Sequence, residues 1–341
     1  MYISVVLFSF CLLSVFKWSN ISIKENRSLT DLLKFIAALL VVNGHLFQFG
    51  GGPESWVKEM NLGPLMVSFF FFLSGYGLMC SYSKKGMAYM DHFISHRLLR
   101  VILPLVTAYI FSITVYAFVV GPVDWNELFV TLLWGGPYMR YSWYVSELVV
   151  LYLFFYFVMR TKWSLRMKSV LLSILVILLM VGLVVFKQPI WYIESLPAFL
   201  MGIWFQEYEE SKGCALSKFK LLVCIIFLVG VFFVAFRWDL IAVLNPIFRP
   251  YRYEYLSFFV MNVAFISLLI IALKGIQLKV RRIPLIACFY EIYLLQNSVM
   301  MITKQGSDSF FSFWLETILL LLIVSVVFHY LNGVLVKILD K

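Results

Sequence analysis

The chain has 341 residues, of which 62% are hydrophobic and only 13% are charged, and its formal net charge is +10. Soluble globular domains contain about 25% charged residues, so this composition excludes an ordinary water-soluble fold. The positive charge does not indicate nucleic-acid binding, because the basic residues lie in short loops between apolar runs, where membrane topology explains them. The five cysteines show no CxxC spacing, so neither a metal cage nor a disulfide framework is indicated.

The apolar runs predict helices that cross a lipid bilayer. In lipid, only α-helices and closed β-barrels satisfy the backbone hydrogen bonds, and barrel strands would alternate apolar and polar residues, which these runs do not. We therefore predict an all-α integral membrane protein, a polytopic bundle of 10–11 transmembrane helices. The predicted segments are 1–16, 29–49, 63–83, 98–120, 143–160, 169–186, 190–206, 219–236, 255–273, 283–303 and 310–333.

The first segment, 1–16, has two interpretations. It is short enough for a signal peptide, but it lacks a basic start and a clear small-residue cleavage site, which favours a retained helix. We expect an extra N-terminal transmembrane helix with a cytoplasmic link at 1–26, a ten-helix membrane domain at 27–333, and a short cytoplasmic tail at 334–341.

The basic residues are distributed unevenly between alternate loops. Of the 28 Lys and Arg residues, 20 fall in loops on one side of the predicted bundle and seven in loops on the other side. The positive-inside rule places the richer side in the cytoplasm, which puts the N-terminus outside and the C-terminus inside.

Two predicted extracytoplasmic gaps, 121–142 and 237–254, are rich in Trp and Tyr. Such residues are typical of the aromatic belt at a membrane interface, and we favour this interpretation. The alternative is a rim on which sugar rings stack.

The second segment carries three ionisable side chains. Asp31 and Lys34 are three residues apart, so they share a helix face and can pair. His45 lies eleven residues beyond Lys34, which is about three turns or about 16 Å, and it returns to nearly the same face. A lone intramembrane histidine can be a structural residue bonded to a neighbouring helix. The stripe that it shares with Lys34 favours a functional role.

Three other stretches place small or charged residues in or beside predicted spans. In FFFFLSGYGL, Ser74 and Tyr76 flank a glycine, which indicates close helix packing at least as well as a catalytic role for Ser74. Arg97 and Arg100 form an RxxR pair, which fits positive-inside anchoring or a phosphate clamp. Glu147 lies about one turn inside its span, where it can orient His45 or pair with another cation.

In combination, these stretches resemble the acyltransferase 3 family of membrane acyltransferases. DLLKFIAALLVVNGH is similar to the family's DxLRGIAxxxVxxxH stretch, with Lys34 where Arg is common. FFFLSGYGL, the RxxR pair, WYVSELVVLYLFF and FYEIYLLQN resemble later family motifs in the same order, although Gln296 stands where a second histidine often occurs. The resemblance covers about residues 27–333, whose ten predicted spans match the family core.

The resemblance implies transfer of an acyl group, usually acetyl, from cytoplasmic acetyl-CoA or another acyl-CoA to a hydroxyl of an extracytoplasmic or lipid-linked saccharide. The acceptor would be a surface polysaccharide or a lipid-linked sugar, the membrane a bacterial plasma membrane, and no cofactor or metal would be bound permanently. His45 would act as general base or acyl carrier. The implied catalytic group is His45, Lys34, Asp31 and Glu147, and the implied donor contacts are Arg97, Arg100, Ser74 and Tyr76.

The alternative function is a transporter or flippase for a lipid-linked saccharide. It would use the same intramembrane charges and aromatic rim without thioester chemistry. The sequence shows no convincing internal repeat, which makes a secondary transporter the weaker interpretation.

Overall fold

The computed structural model describes residues 22–50, 62–128, 130, 135–212, 224–231, 252–275 and 283–339. Regular structure in these ranges is helical, without a strand, which confirms the all-α prediction. The long helices are α1 (Arg27–Gly50), α2 (Gly63–Lys85), α3 (Leu99–Val119), α4 (Trp143–Met159), α5 (Leu165–Val185), α6 (Leu196–Lys212), α7 (Arg252–Gly275), α8 (Phe289–Gly306) and α9 (Phe310–Leu339). Shorter helical turns are Met87–Asp91, the π-helical Ile94–Leu98, the 3-10 turn Ile190–Tyr192 and Pro284–Ala287. The predicted segment 1–16 and most of 219–236 lie outside the described residues.

Several helices have the length and composition of membrane spans. Within the described residues, six stretches qualify: α1, α2, Ile94–Val119, α5, Phe258–Gly275 and α9. Large apolar side chains are exposed along α5 and α9, for example Ile177, Val181, Ile323 and Val327. Such faces are unfavourable in water and suit contact with lipid. The chain is therefore a polytopic helical membrane protein, as predicted, whereas the total of 10–11 spans stays a prediction.

The predicted segment 190–206 is not one continuous helix. It divides into the 3-10 turn Ile190–Tyr192 and the longer α6, which begins at Leu196. Pro189 precedes the turn and Pro197 is the second residue of α6. Because proline lacks a backbone N–H and fits the first turn of a helix, these two prolines account for the division.

The described chain forms two compact units. Unit 1 comprises residues 22–32, 68–84, 173–212, 224–231 and 252–275. Unit 2 comprises residues 33–50, 62–67, 85–128, 130, 135–172 and 283–339. The predicted division of the chain at 27 and 333 stays a prediction.

In unit 1, α2 and α6 approach closely through two glycines. A Cβ added at Gly75 would overlap the backbone carbonyl of Phe199, and one added at Gly202 would overlap the carbonyl of Phe72. Small residues at such positions let two helix backbones come into contact within a membrane. This contact supports the packing interpretation of the SGYG sequence.

In unit 2, buried hydroxyl groups connect α3, α8 and α9. Ser112 of α3 and Ser298 of α8 are 2.6 Å apart at their hydroxyl oxygens. The hydroxyls of Thr303 and Thr317 connect α8 to α9 at 2.7 Å. Hydrogen bonds of this kind hold transmembrane helices together where the surrounding lipid provides no hydrophobic driving force. They make α8 a well-supported central element of unit 2.

Candidate functional site

His45 lies on α1 and contacts α8 in unit 2. Its Nδ1 is 2.8 Å from Oε1 of Gln296, a fully buried residue of α8. As a residue, His45 is neither fully buried nor exposed. An imidazole with one nitrogen held by a neighbour can use its other nitrogen as a base or as a nucleophile.

Tyr141 supports the same imidazole from one face. The two rings stack with their centroids 3.6 Å apart and 6° between their planes. Tyr141 lies in the loop before α4, and its backbone carbonyl accepts a 2.6 Å hydrogen bond from the hydroxyl of Tyr293 on α8. Asn297 of α8 also donates to the carbonyl of Tyr138 in this loop, at 3.2 Å. Burial raises the pKa of the Tyr141 phenol above its ordinary value, although the neighbouring Arg140 guanidinium opposes this shift.

Lys34 also lies against α8. Its Nζ is 5.3 Å from the ring centroid of Phe289, the first residue of that helix, which is a cation–π distance. Since α1 is a continuous helix from Arg27 to Gly50, Lys34 and His45 lie on the same helix, and both contact α8. The structure therefore brings together these two residues of the predicted stripe along a single neighbouring helix.

Asp31 lies near the start of α1, in unit 1. Its carboxylate oxygen is 3.6 Å from Nε of Arg27, one turn earlier, and the side chains are 36% and 79% exposed respectively. A surface ion pair of this kind contributes about 0–1 kcal/mol. Asp31 is thus a partly exposed residue near the end of the helix, and its predicted catalytic role stays a prediction.

The two arginines of the RxxR pair have different surroundings. Arg97, in the π-helical turn before α3, donates from Nη2 to the hydroxyl of Tyr152 on α4 at 3.0 Å. Its Nε is buried and has no hydrogen-bond partner among the described residues. Arg100, one turn further on, is exposed. One guanidinium is therefore directed into unit 2, and the other lies at its surface.

Glu147 is buried on α4, with 6% of its surface exposed. Within the described part of the chain, neither carboxylate oxygen has a hydrogen-bond partner. The acceptor at His45 Nδ1 is Gln296 and not Glu147. A buried carboxyl group without a partner is costly, and such groups occur in proteins mostly where they serve a function.

Tyr76 and Ser74 lie in unit 1, on α2. The Tyr76 hydroxyl donates to Oε2 of Glu209 at 2.6 Å, and Oε1 of Glu209 pairs with Lys274 at 2.6 Å. This hydroxyl therefore belongs to a network that joins α2, α6 and α7. Ser74 is half-buried beside the close-packed Gly75. These surroundings support a structural role for both residues, through hydrogen bonds for Tyr76 and through packing for Ser74, and their predicted contacts with the donor stay predictions.

A second histidine pairs with a buried glutamate, and sequence reasoning did not identify this pair. Nδ1 of His329 on α9 is 3.2 Å from Oε1 of Glu291 on α8, and Glu291 is almost fully buried. The nearby Asn332 accepts a 2.8 Å hydrogen bond from Thr107 of α3. The sequence does indicate a polar contact here, because His329 and Asn332 are three residues apart and so share one face of an apolar helix.

The fold and these contacts define a multi-pass helical membrane protein with an oriented, partly exposed histidine inside one of its helices. A family model described as an acyltransferase domain matches residues 30–331. The chain therefore belongs to the acyltransferase 3 family and is a membrane acyltransferase, which confirms the resemblance and favours this class over a transporter or flippase. Comparisons with curated proteins and with solved structures found no match.

Proposed function

We propose that this protein transfers an acetyl group, or another acyl group, from cytoplasmic acyl-CoA to a hydroxyl of an extracytoplasmic or lipid-linked saccharide. The observation that supports this proposal is the imidazole of His45, held by Gln296 and Tyr141 within the residues that match the family. An imidazole that is oriented in this way can take a proton from a hydroxyl or accept an acyl group.

Two routes are compatible with this arrangement. In direct transfer, the acceptor hydroxyl oxygen attacks the thioester carbonyl carbon and the carbon–sulfur bond breaks. His45 takes the hydroxyl proton and passes it to the departing sulfur, giving an ester and the free CoA thiol. In the covalent route, an imidazole nitrogen first takes the acyl group and CoA leaves as a thiolate. The hydroxyl then attacks the acyl-imidazole, and the proton that it loses neutralises the thiolate.

The arginines before and at the start of α3 are proposed to bind the donor. Arg100 is exposed, and guanidinium groups bind phosphate oxygens in a bidentate manner, so Arg100 suits the phosphates of acyl-CoA. Arg97 adds a buried Nε without a partner among the described residues, which a polar atom of the donor can satisfy. Replacing both arginines with alanine is expected to raise the KM for acyl-CoA, and an unchanged KM would refute the assignment.

The proposed orientation follows from the loop charges. Twenty of the 28 Lys and Arg residues fall on one side of the predicted bundle, which the positive-inside rule assigns to the cytoplasm, and the location proposed is a bacterial plasma membrane. Acyl-CoA would then reach unit 2 from the side of Arg97 and Arg100, and the acceptor from the opposite side.

The direct test uses membranes that contain the protein and radiolabelled acetyl-CoA. Label should appear in surface saccharide with the wild-type protein and should disappear with His45→Ala, while the variant remains in the membrane. The matched control is His92→Ala, which removes an exposed histidine that stacks on His96. Full labelling with His45→Ala would refute the proposal, and movement of saccharide without labelling would favour the transporter or flippase.

A further inference from the structure

We infer that Gln296 is a positioning residue that selects Nε2 of His45 as the atom that takes the proton or the acyl group. This inference rests on the proposed function, because it assigns a reacting atom to the histidine of that site. Its basis is the hydrogen-bond direction around one buried amide of α8.

The amide of Gln296 has only one orientation that satisfies both of its neighbours. Its nitrogen Nε2 is 2.8 Å from the backbone carbonyl oxygen of Tyr293, which can only accept a hydrogen bond. The amide NH2 must therefore face Tyr293. The amide oxygen Oε1 is then the atom that faces His45 Nδ1, at 2.8 Å. A flipped amide would place two acceptors against each other at the Tyr293 carbonyl.

The orientation of the amide determines the tautomer of His45. Since the oxygen of Gln296 can only accept, Nδ1 of the imidazole must donate, and so it carries the hydrogen. In a neutral imidazole the other nitrogen is then an acceptor with a lone pair. That nitrogen is Nε2, at the side of the ring opposite Gln296. It is the only ring atom of His45 that can act as a base or as a nucleophile in this tautomer.

Tyr293 supports both contacts that hold the ring. Its backbone carbonyl orients the Gln296 amide at 2.8 Å, and its hydroxyl donates to the carbonyl of Tyr141 at 2.6 Å. Tyr141 in turn stacks on the imidazole and limits rotation of its plane. Tyr293 is 3% exposed and Gln296 is 0% exposed, so water does not compete for the hydrogen bonds that these two residues make. The ring plane and the ring tautomer are thus both set from α8.

An amide is suited to this task because it does not titrate. Gln296 presents the same acceptor at every pH at which the protein is folded, whereas a histidine at this position can present either a donor or an acceptor. The side chain at position 296 should therefore add no proton to the acid side of the pH–rate profile in the wild-type protein. In the variant Gln296→His that acid side should become steeper, because a second ring titrates next to the first.

The experiment is nitrogen-15 NMR of histidine-labelled protein in lipid nanodiscs, combined with kinetics of acyl transfer. In the wild type, His45 should show a protonated Nδ1 and an unprotonated Nε2, with its signals assigned by their absence in His45→Ala. Gln296→Met, which keeps the approximate volume but removes the acceptor, should lose this tautomer preference. We expect kcat to fall by about 10–100-fold in this variant, the range seen for groups that orient metal-bound histidines, while KM for acyl-CoA is unchanged.

Two variants separate positioning from folding. Gln296→Glu, with its carboxyl group protonated and donating to the Tyr293 carbonyl, keeps an oxygen acceptor for Nδ1, so it should retain the Nδ1-protonated tautomer and recover part of kcat. Thr303→Val removes a buried hydroxyl of the same helix that bonds Thr317, and it should change neither the tautomer nor kcat. A wild-type His45 with its hydrogen on Nε2, or a Gln296→Met variant with unchanged tautomer and kcat, would overturn the inference. If Gln296→Met is unaffected but His45→Ala is inactive, the proposed function stands without this inference, whereas full activity of His45→Ala refutes both.

Discussion

Tyr141 lies face to face with His45, 3.6 Å away at the ring centroids, although two predicted spans, 63–83 and 98–120, lie between the two residues in the sequence. An aromatic pair contributes about 0.5–1.5 kcal/mol beyond the area that it buries. If the stack keeps the imidazole in its productive orientation, Tyr141→Ala should lower kcat by up to about tenfold. Tyr141→Phe keeps the ring and should retain nearly all activity. Equal losses in both variants, measured as initial rates of acetyl transfer, would show that the phenol and not the stack matters.

The contact between α2 and α6 predicts a sharp difference between two neighbouring glycines. A methyl group at Gly75 meets the carbonyl of Phe199, whereas one at Gly77 has no atom within 4 Å. We expect Gly75→Ala to destabilise the protein by about 1–3 kcal/mol, since the helices must move apart. Gly77→Ala is the matched control and should not be destabilising. Thermal unfolding in detergent checks both, and equal midpoints would contradict the close approach.

The Glu209–Lys274 pair joins α6 to α7 in unit 1, and the side chains are 11% and 5% exposed. Removing one member leaves the other charge buried, so Lys274→Met should cost about 3–5 kcal/mol. The double variant Lys274→Met with Glu209→Gln should lose less free energy of unfolding than Lys274→Met alone, because no buried charge remains. The exposed pair of Arg27 and Asp31 provides the control: Asp31→Asn should change stability by less than about 1 kcal/mol. A small change in the free energy of unfolding of Lys274→Met would show that the Glu209 carboxylate finds another partner.

Glu147 should show a trade-off between stability and activity. Both of its carboxylate oxygens are buried without a partner in the described part of the chain, so Glu147→Leu removes an unsatisfied group from the helix interface. We expect this change to stabilise the fold by about 1–3 kcal/mol and to reduce acyl transfer. Glu147→Gln keeps a polar group and is the comparison variant for activity. A lower unfolding midpoint for Glu147→Leu would mean that the carboxyl group is bonded in the folded protein.

The helices could be predicted because they depend on the hydropathy of a continuous stretch, which can be read locally in the sequence. The apolar runs predicted spans at 29–49 and 143–160, and the observed α1 and α4 begin and end within two residues of them. The division of segment 190–206 was less visible, since its mean hydropathy hides a turn between two prolines. Hydropathy reports how well a stretch suits lipid, and it does not report where a backbone donor is missing.

The site could be predicted only in part, because its contacts are distant in the sequence. The spacing of Lys34 and His45 placed them on one face, and both lie against α8. Gln296 lies 251 residues from His45, and no local pattern indicates which helix faces which. Tyr141 was interpreted as part of an interfacial belt, since an isolated sequence cannot distinguish a ring against lipid from a ring against an imidazole.

Helix α8 meets α1 at two points, Phe289 against Lys34 and Gln296 against His45, seven residues apart on the same side of the helix. Adding or deleting one residue between those points would rotate the rest of α8 by about 100° about the helix axis and shift it along that axis by about 1.5 Å. Gln296 would then face away from the imidazole. In this chain, the stretch from Phe289 to Gln296 must therefore keep its length for both contacts to persist, even where the side chains between them change.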